Sequence, residues 1–291
     1  MAKRETWFGT MGHERWIPTP AINPDYSRTG FSSSSQYLNG GAGVRDSKSA
    51  HNVYVLSWGA AKSRDAVRKI TDFADGVFDE ADGIELIYWI DPMAADLNVL
   101  PQGWAFPAQA SEDGVPLIED SRPKAVPTSI NDLYYPARSA QYTIKASSKT
   151  LTQYVPIPPG HAAWVGIHGE VSAAGRIRVQ PMVGRAASGS PVVPTVLAVT
   201  DSTLVNTSFS SASYSGIRLE LTPVVSDTVF TVSGMIVQIL PIGQAPLAGE
   251  YISGQGHSGC QFVGKPQKTP YSAALDMVGA TARLEETGAY L

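Results

Sequence analysis

The strongest chemical signal in the sequence is Gly256-His257-Ser258-Gly259-Cys260, which is close to the G-x-S-x-G turn that carries the nucleophilic serine of many hydrolases. Cys260 stands where the second glycine of that turn belongs, and no histidine follows His257 in the chain. In hydrolases with this turn, the triad histidine comes after the serine in the chain and a helix follows the turn. Here Pro266 follows the turn closely and would interrupt such a helix. We therefore interpret the segment as a glycine-rich structural turn.

His257 and Cys260 also have the H-x-x-C spacing of two zinc ligands. A structural zinc site needs four ligands, and besides Cys260 the chain offers only four further histidines: His13, His51, His161 and His168. The last two flank a predicted strand that begins at Trp164 and do not obviously converge. A small buried thiol is the simpler interpretation of Cys260. We predict no metal, with His257 and Cys260 as the candidate ligands if one exists, and no cofactor.

The carboxylates and the glycine clusters do not define a second kind of active site. Acidic residues cluster at 80–85 and 112–120, but a glycosidase needs two carboxyl groups that face each other across a cleft. The glycines at 40–43 lack the Lys-Ser/Thr ending of a phosphate-binding loop, and no strand precedes them. We predict no catalytic residues and no enzymatic activity.

Aromatic side chains on predicted strands are the remaining candidates for a binding role. Tyr142, Tyr154, Trp164, Phe209 and Tyr214 have the side chains that stack on sugar rings in carbohydrate-binding modules, and the three tyrosines are the candidate glycan contacts. The alternative is that they fill the core, which any β-sandwich needs.

Charge and composition narrow the class of protein. Charged residues make up 16% of the chain, against roughly 25% in an average soluble protein, and the net charge is -4. No overall positive field attracts nucleic acid or an anionic membrane. The longest apolar run, 84–90, is too short to span a bilayer and contains Glu85. With one cysteine and no apolar stretch at the N-terminus, we expect a chain that folds in a reducing cytoplasm.

The elements that must position these residues begin with β structure and one helix. Residues 1–50 predict short strands joined by irregular segments, and β-branched and aromatic residues predict a strand over 51–58. Apolar residues at helical spacing predict a helix over 63–75, and a continuous apolar run predicts a buried strand over 84–90. The proline-rich segment 91–136 predicts connectors and short edge strands.

Alternation of apolar and polar residues predicts an antiparallel sandwich or jelly roll between 141 and 240. The segments 177–183 and 217–221 alternate most clearly, and the first places Val183 on the apolar face. A strand is also predicted over 278–286, although residues 272–290 have some helical spacing as well.

The fold class predicted is therefore mainly β, with two domains. The first comprises 1–136 plus 247–291, with the C-terminal strand returning to it, and the second is the sandwich over 137–246.

Three stretches taken in order resemble minor tail proteins of long-tailed phages that infect actinobacteria. They are Trp7-Phe8-Gly9 with Arg15-Trp16-Ile17-Pro18-Thr19-Pro20, then the segment 90–101 (IDPMAADLNVLP), and then 252–260 (ISGQGHSGC). Each motif alone is unspecific, and their order and spacing carry the resemblance. Within that group the chain is similar to the distal tail proteins, over nearly its full length.

This resemblance implies a ring-forming N-terminal β-domain with one helix, which carries a galectin-like or carbohydrate-module-like sandwich on its outside. It implies a structural virion protein that joins the tail tube to the tail tip or baseplate, and it implies no catalytic residues. The expected partners are further copies of the chain, the tail tube protein and the tip or baseplate hub proteins. The expected location is the virion tail tip, after assembly in the host cytoplasm, and both sixfold and threefold symmetry stay open.

Two further expectations concern contacts with partners. We expect residues 1–44 and the loops of 91–136 to touch neighbouring subunits, with Trp7, Trp16 and Trp104 as anchors. The alternative function is adsorption, in which the sandwich binds a host cell-wall carbohydrate.

Overall fold

A computed structural model describes most of the chain. The described residues are 5–23, 32–36, 42–46, 53–79, 85–90, 95–105, 124–127, 138–144, 150–168, 177–192, 207–221, 228–232, 234–246, 254, 256–257, 259–272 and 277–286.

The described part is mainly β, as the sequence predicts, and all of its strand pairs are antiparallel. In chain order its elements are β1 (Glu5–Thr10), β2 (Arg15–Pro18), β3 (Ala21–Asn23), β4 (Ser32–Gln36), β5 (Ala42–Asp46), β6 (Val53–Ser63), α1 (Arg64–Ala74), β7 (Ile87–Ile90), α2 (Gln102–Ala105), β8 (Lys124–Pro127), β9 (Arg138–Ile144), β10 (Leu151–Pro156), β11 (His161–His168), β12 (Ile177–Val183), β13 (Ala186–Ala187), β14 (Thr207–Ser210), β15 (Gly216–Leu221), β16 (Thr228–Val232), β17 (Gly234–Pro241), β18 (Cys260–Phe262), β19 (Gln267–Ser272) and β20 (Met277–Glu286).

Strands from both ends of the described chain form one eight-stranded sheet, which we call the curled sheet. Its order is β2-β1-β7-β18-β20-β6-β3, and β19 pairs with β20 beside β18. Only Thr19 and Pro20 separate β2 from β3, although these strands lie at opposite ends of that order. Because two residues span only about 10 Å between their neighbours, the sheet must curl until its ends approach each other. The indole N–H of Trp58 on β6 donates to the Pro18 carbonyl of β2 at 2.8 Å, across this gap.

Alternation explains how the curled sheet encloses a core. On β20, Ala280, Ala282 and Leu284 are buried, whereas Thr281 and Arg283 between them are exposed. Helix α1 packs Val67, Ile70 and Phe73 against the same core, which confirms the predicted helix. Val77, which the helical spacing also places on the apolar face, follows the end of the helix and is 62% exposed. The core residues are Phe8, Ile17, Leu56, Trp58, Val67, Ile70, Phe73, Ile87, Trp89, Cys260, Ala280, Ala282 and Leu284. The strand predicted at the C-terminal end of the chain is therefore present and central.

Between β7 and β18 the chain builds a β-sandwich. One layer has the order β10-β15-β12-β13 and the other β14-β11-β17. Ile217, Leu219 and Leu221 of β15 are fully buried between the layers, as their alternation predicts. The prediction for Val183 is wrong: it is 51% exposed, and it is the last residue of β12, next to the Gly184 turn. Further strands pair as β16-β9-β8 and as β4-β5.

The segment 95–105, which the sequence analysis assigns to the first domain, completes the core of the sandwich. Val99, Leu100 and Trp104 belong to the sandwich core. The Val99 N–H donates to the Val237 carbonyl at 2.9 Å, and the Ile239 N–H donates to the Ala95 carbonyl at 2.7 Å. The segment therefore lies along β17 in the manner of an additional edge strand.

Candidate functional site

Three apolar side chains form a row across neighbouring strands of the curled sheet. Trp7 of β1 is directly opposite Trp16 of β2 on one side and Ile90 of β7 on the other. Directly opposite residues in antiparallel strands project from the same face, so the three side chains lie side by side. The two indoles meet edge to face, with 5.1 Å between their centroids. The pairing of the three strands therefore fixes two indoles and one aliphatic side chain in a continuous apolar surface.

The sandwich supplies the opposite wall of an open groove above this row. Its contribution comes from the β10–β11 turn and from the end of β17. The groove has a volume of about 310 Å³, at the lower end of the range for small-molecule sites. We call it the tryptophan groove, and it is lined by Glu5, Trp7, Trp16, Ile90, Ala95, Asp96, Pro158, His161, Ile239, Leu240, Pro241 and Gln244.

Four polar side chains surround the apolar surface of the tryptophan groove. Glu5 precedes Trp7 by two positions on β1 and so shares its face. His161 starts β11 with its Nδ1 3.1 Å from the Pro159 carbonyl, and its ring lies 6.3 Å from that of Trp16. Asp96 and Gln244 complete the set. Among the described residues that line the groove there are two carboxylates and no lysine or arginine, so its field is negative.

Two buried amide side chains, Gln238 and Asn98, hold the turn that carries Asp96. The Gln238 side chain, which is fully buried, donates from Nε2 to the Asp96 carbonyl oxygen at 2.9 Å. Asn98 donates to the Met235 carbonyl at 2.9 Å and accepts from the Val237 N–H at 3.1 Å. A buried amide that uses both its donor and its acceptor fixes the backbone firmly, so the Asp96 side of the groove is preorganised.

A polar seam joins the curled sheet to the sandwich. The Tyr154 hydroxyl on β10 donates to the Glu14 carboxylate at 2.7 Å, and burial raises the pKa of that carboxyl above its ordinary value. Arg185 pairs with Glu85 at 3.1 Å and donates to the carbonyl oxygens of Met11 and Phe78. These contacts hold the two walls of the groove in one orientation.

The three predicted anchor tryptophans have different environments. Trp7 and Trp16 are half-buried and line the tryptophan groove together. Trp104 is 1% exposed and packs in the sandwich core of its own chain. The interpretation of Trp104 as an intersubunit anchor is therefore wrong, because it has no surface left to offer a neighbour.

Of the three predicted glycan contacts, the structure describes the side chains of Tyr154 and Tyr214. Tyr154 is 3% exposed and is engaged by Glu14, so it is not available on the surface as predicted. Tyr214 is half-buried against the sandwich core, with its ring edge to face with Phe209. Tyr142 belongs to β9, but its side chain lies outside the described residues.

His257 and Cys260 lie close together inside the curled sheet. The Cys260 sulfur is 3.9 Å from Nδ1 of His257, and the other ring nitrogen is 3.1 Å from the Trp89 carbonyl oxygen. Burial raises the pKa of the thiol well above its ordinary value. Within the described ranges, no group of three or more His, Cys, Asp or Glu side chains is placed to hold a metal ion. Ser258 lies outside those ranges.

The glycines of this segment permit close packing. A Cβ at Gly256 would collide with the Val99 carbonyl, and the Gly256 N–H donates to the Leu100 carbonyl at 3.0 Å. A Cβ at Gly259 would press on Leu86 and on the Tyr88 hydroxyl. The motif that resembles a hydrolase turn thus ties the curled sheet to the segment along β17.

Sequence reasoning missed the polar residues of the groove. Glu5, Asp96, His161 and Gln244 are far apart in the sequence, and only the pairing of β1 with β7 and the docking of the sandwich bring them together. Trp7 and Trp16 were the available signal, since large aromatic side chains need an apolar surface to cover them.

Comparisons with known proteins leave the class of protein open. No family model matches the chain, and no curated protein matches it. One solved structure that matches is "Structure of infectious bursal disease virus Gx strain", at 13% identity, over 97% of this chain and 79% of the other, with a TM-score of 0.21. A TM-score this low carries no argument about fold or function. None of the described helices is long and apolar enough to cross a membrane.

Proposed function

We propose that the chain is a structural virion protein, a distal tail protein whose copies form a ring between the tail tube and the tail tip of a long-tailed phage. The observation that carries the proposal is the architecture. A β-domain built from both ends of the described chain has one long helix, α1, and a β-sandwich is inserted between β7 and β18. The resemblance of the three sequence stretches implies an architecture of this kind.

The physical properties of the chain suit a subunit that covers much of its surface with partners. A closed ring of head-to-tail copies requires each subunit to offer two different surfaces. With 16% charged residues, the surface carries few long ionic side chains whose ordering and desolvation oppose association. The seam at Tyr154 and Arg185 holds the sandwich at a set angle, so each copy in a ring would carry it in the same position.

The proposal is tested by measuring the native mass of the purified full-length chain over a range of concentrations, followed by negative-stain imaging. We expect a species of several times the 31.0 kDa monomer mass and class averages with rotational symmetry. Gold-labelled antibodies against the chain should mark the tail end farthest from the capsid in phage particles that contain it. A chain that stays monomeric at all concentrations and labels no tail would refute the proposal.

A further inference from the structure

The tryptophan groove has the chemistry of a ligand site. It lies where strands of the curled sheet meet the sandwich, with Trp7, Ile90 and Ile239 packed in or against the sandwich core, and junctions between packed units are preferred positions for small-molecule sites. Its apolar surface includes a pair of indoles held by strand register, Glu5 and His161 sit on strands, and Asp96 sits on a turn anchored to the buried Gln238 side chain. Such a site is formed before a ligand arrives, so little conformational entropy is lost on binding.

We propose that the tryptophan groove binds a neutral saccharide, with one pyranose ring against the Trp7–Trp16 pair. The face of an indole carries partial negative charge, and the C–H groups on one face of a pyranose are weakly positive and apolar. The sugar's hydroxyl groups then point sideways toward Glu5, Asp96, Gln244 and His161. This proposal goes beyond the structural role proposed above and does not depend on it.

The mixture of donors and acceptors around the groove favours a hydroxylated ligand over a charged one. A hydroxyl both donates and accepts hydrogen bonds. The groove offers carboxylate acceptors, the Gln244 amide, which does both, and Nε2 of His161, which accepts because the Nδ1–H is used on the Pro159 carbonyl. A phosphate or other anion would be repelled by Glu5 and Asp96, with no lysine or arginine among the described lining residues to oppose that repulsion. An organic cation would use the two carboxylates and the indole faces, but it would leave the N–H groups of the Gln244 amide without a partner in the groove.

The groove site replaces the predicted tyrosine site on the sandwich. The Tyr154 hydroxyl is hydrogen-bonded to Glu14, whereas Trp16 is half-buried and lines the groove. Any saccharide recognition by this chain is therefore expected to depend on residues of the curled sheet as well as on the sandwich.

The test is a titration of the full-length chain with neutral mono- and trisaccharides of glucose, galactose, mannose and N-acetylglucosamine, followed by tryptophan fluorescence and saturation-transfer NMR. We expect at least one of these sugars to bind saturably with a Kd of about 1 mM or lower. Trp16→Leu should weaken that binding at least tenfold, and Asp96→Asn should weaken it severalfold because one acceptor loses its charge.

Matched controls separate the groove from general effects on folding. Trp164→Leu removes a half-buried indole from β11 outside the groove, and Asp72→Asn removes a carboxylate from α1. Both should leave the Kd unchanged. Asp96 is exposed, so Asp96→Asn keeps the test valid even if Trp16→Leu reduces folding, which circular dichroism would detect.

Four outcomes would overturn the proposal. The first is that none of these sugars binds at about 20 mM, and the second is that sugar binding survives both groove variants. The third is that choline binds saturably and no sugar does. The fourth is that the chain binds no sugar and Trp16→Leu abolishes its assembly. The last would assign the groove to contact between subunits. Sugar binding by a chain that remains monomeric would support this site while refuting the ring, so the two proposals fail separately.

Discussion

The hydrogen bond between Tyr154 and Glu14 makes a prediction whose size depends on pH. Tyr154→Phe removes the hydroxyl that donates to the Glu14 carboxylate at 2.7 Å and leaves the Gly12 N–H, at 3.1 Å, as a remaining donor to that group. A hydrogen bond to a charged group contributes about 1.5–3 kcal/mol, against about 0.5–1.5 kcal/mol for a neutral one. We therefore expect Tyr154→Phe to lower the free energy of unfolding by about 2 kcal/mol when Glu14 is ionised, and by about 1 kcal/mol when it is protonated.

The direction of the pH dependence follows from the pKa of Glu14. Desolvation raises this pKa above its ordinary value of 4.5, and the Tyr154 hydrogen bond opposes that rise. A carboxyl whose pKa is higher in the folded than in the unfolded state stabilises the fold fully below the unfolded pKa. It loses that contribution as the pH rises through the folded pKa. Because Tyr154→Phe raises the folded pKa further, the variant must lose more stability than the wild type over the same rise in pH.

The assay is urea unfolding of both proteins at pH 4, below the ordinary carboxyl pKa of 4.5, and at pH 8, followed by tryptophan fluorescence. The destabilisation caused by Tyr154→Phe should be larger at pH 8. Tyr214→Phe is the matched control, since it removes a half-buried phenol hydroxyl from the same sandwich, and its effect should not change with pH. Equal destabilisation by Tyr154→Phe at the two pH values would show that Glu14 does not depend on Tyr154 as described.

Three further predictions concern the segments that hold the groove together. Gly256→Ala should destabilise the fold by about 1–3 kcal/mol in urea unfolding, because its Cβ meets the Val99 carbonyl, whereas Gly59→Ala, with open space around it, should not. Asn98→Ala should cost at least about 3 kcal/mol in the same assay, because three backbone groups lose their partner in the core; a cost below about 1 kcal/mol would contradict this account. Cys260 is fully buried and its thiol pKa is raised, so a disulfide reagent should label it only after unfolding; rapid labelling of the native chain would show that the site opens.

Local patterns predicted the elements well where one face of an element is buried by its immediate neighbours. The spacing of Val67 and Ile70 predicted α1, and the alternation of Ala282 and Leu284 predicted β20. In both cases the periodicity of the backbone decides which side chains share a face, and the sequence shows that periodicity directly.

The candidate site could not be predicted in the same way, because it depends on pairing between distant segments. Trp7 and Trp16 meet across the β1–β2 hairpin, but nothing local places Ile90 of β7 or the sandwich wall beside them. A slip of one residue between β1 and β7 would send Ile90 to the other face of the sheet. Trp104 shows the same limit, since turn-forming residues around it predicted a surface connector. Its burial follows from backbone hydrogen bonds between the segment 95–99 and β17.

The curled sheet also imposes an order of events during synthesis. Strand β6 leaves the ribosome before the strands of the sandwich, but its main partner β20 follows them, so the whole sandwich must be made before the two can pair. All strands of the two sandwich layers lie between them, and they find their partners within 150–241. Because domains fold as units during translation, the sandwich should fold first and act as a platform. The N-terminal strands would wait, with their apolar faces uncovered, in the interval when aggregation and chaperone binding compete most strongly with folding.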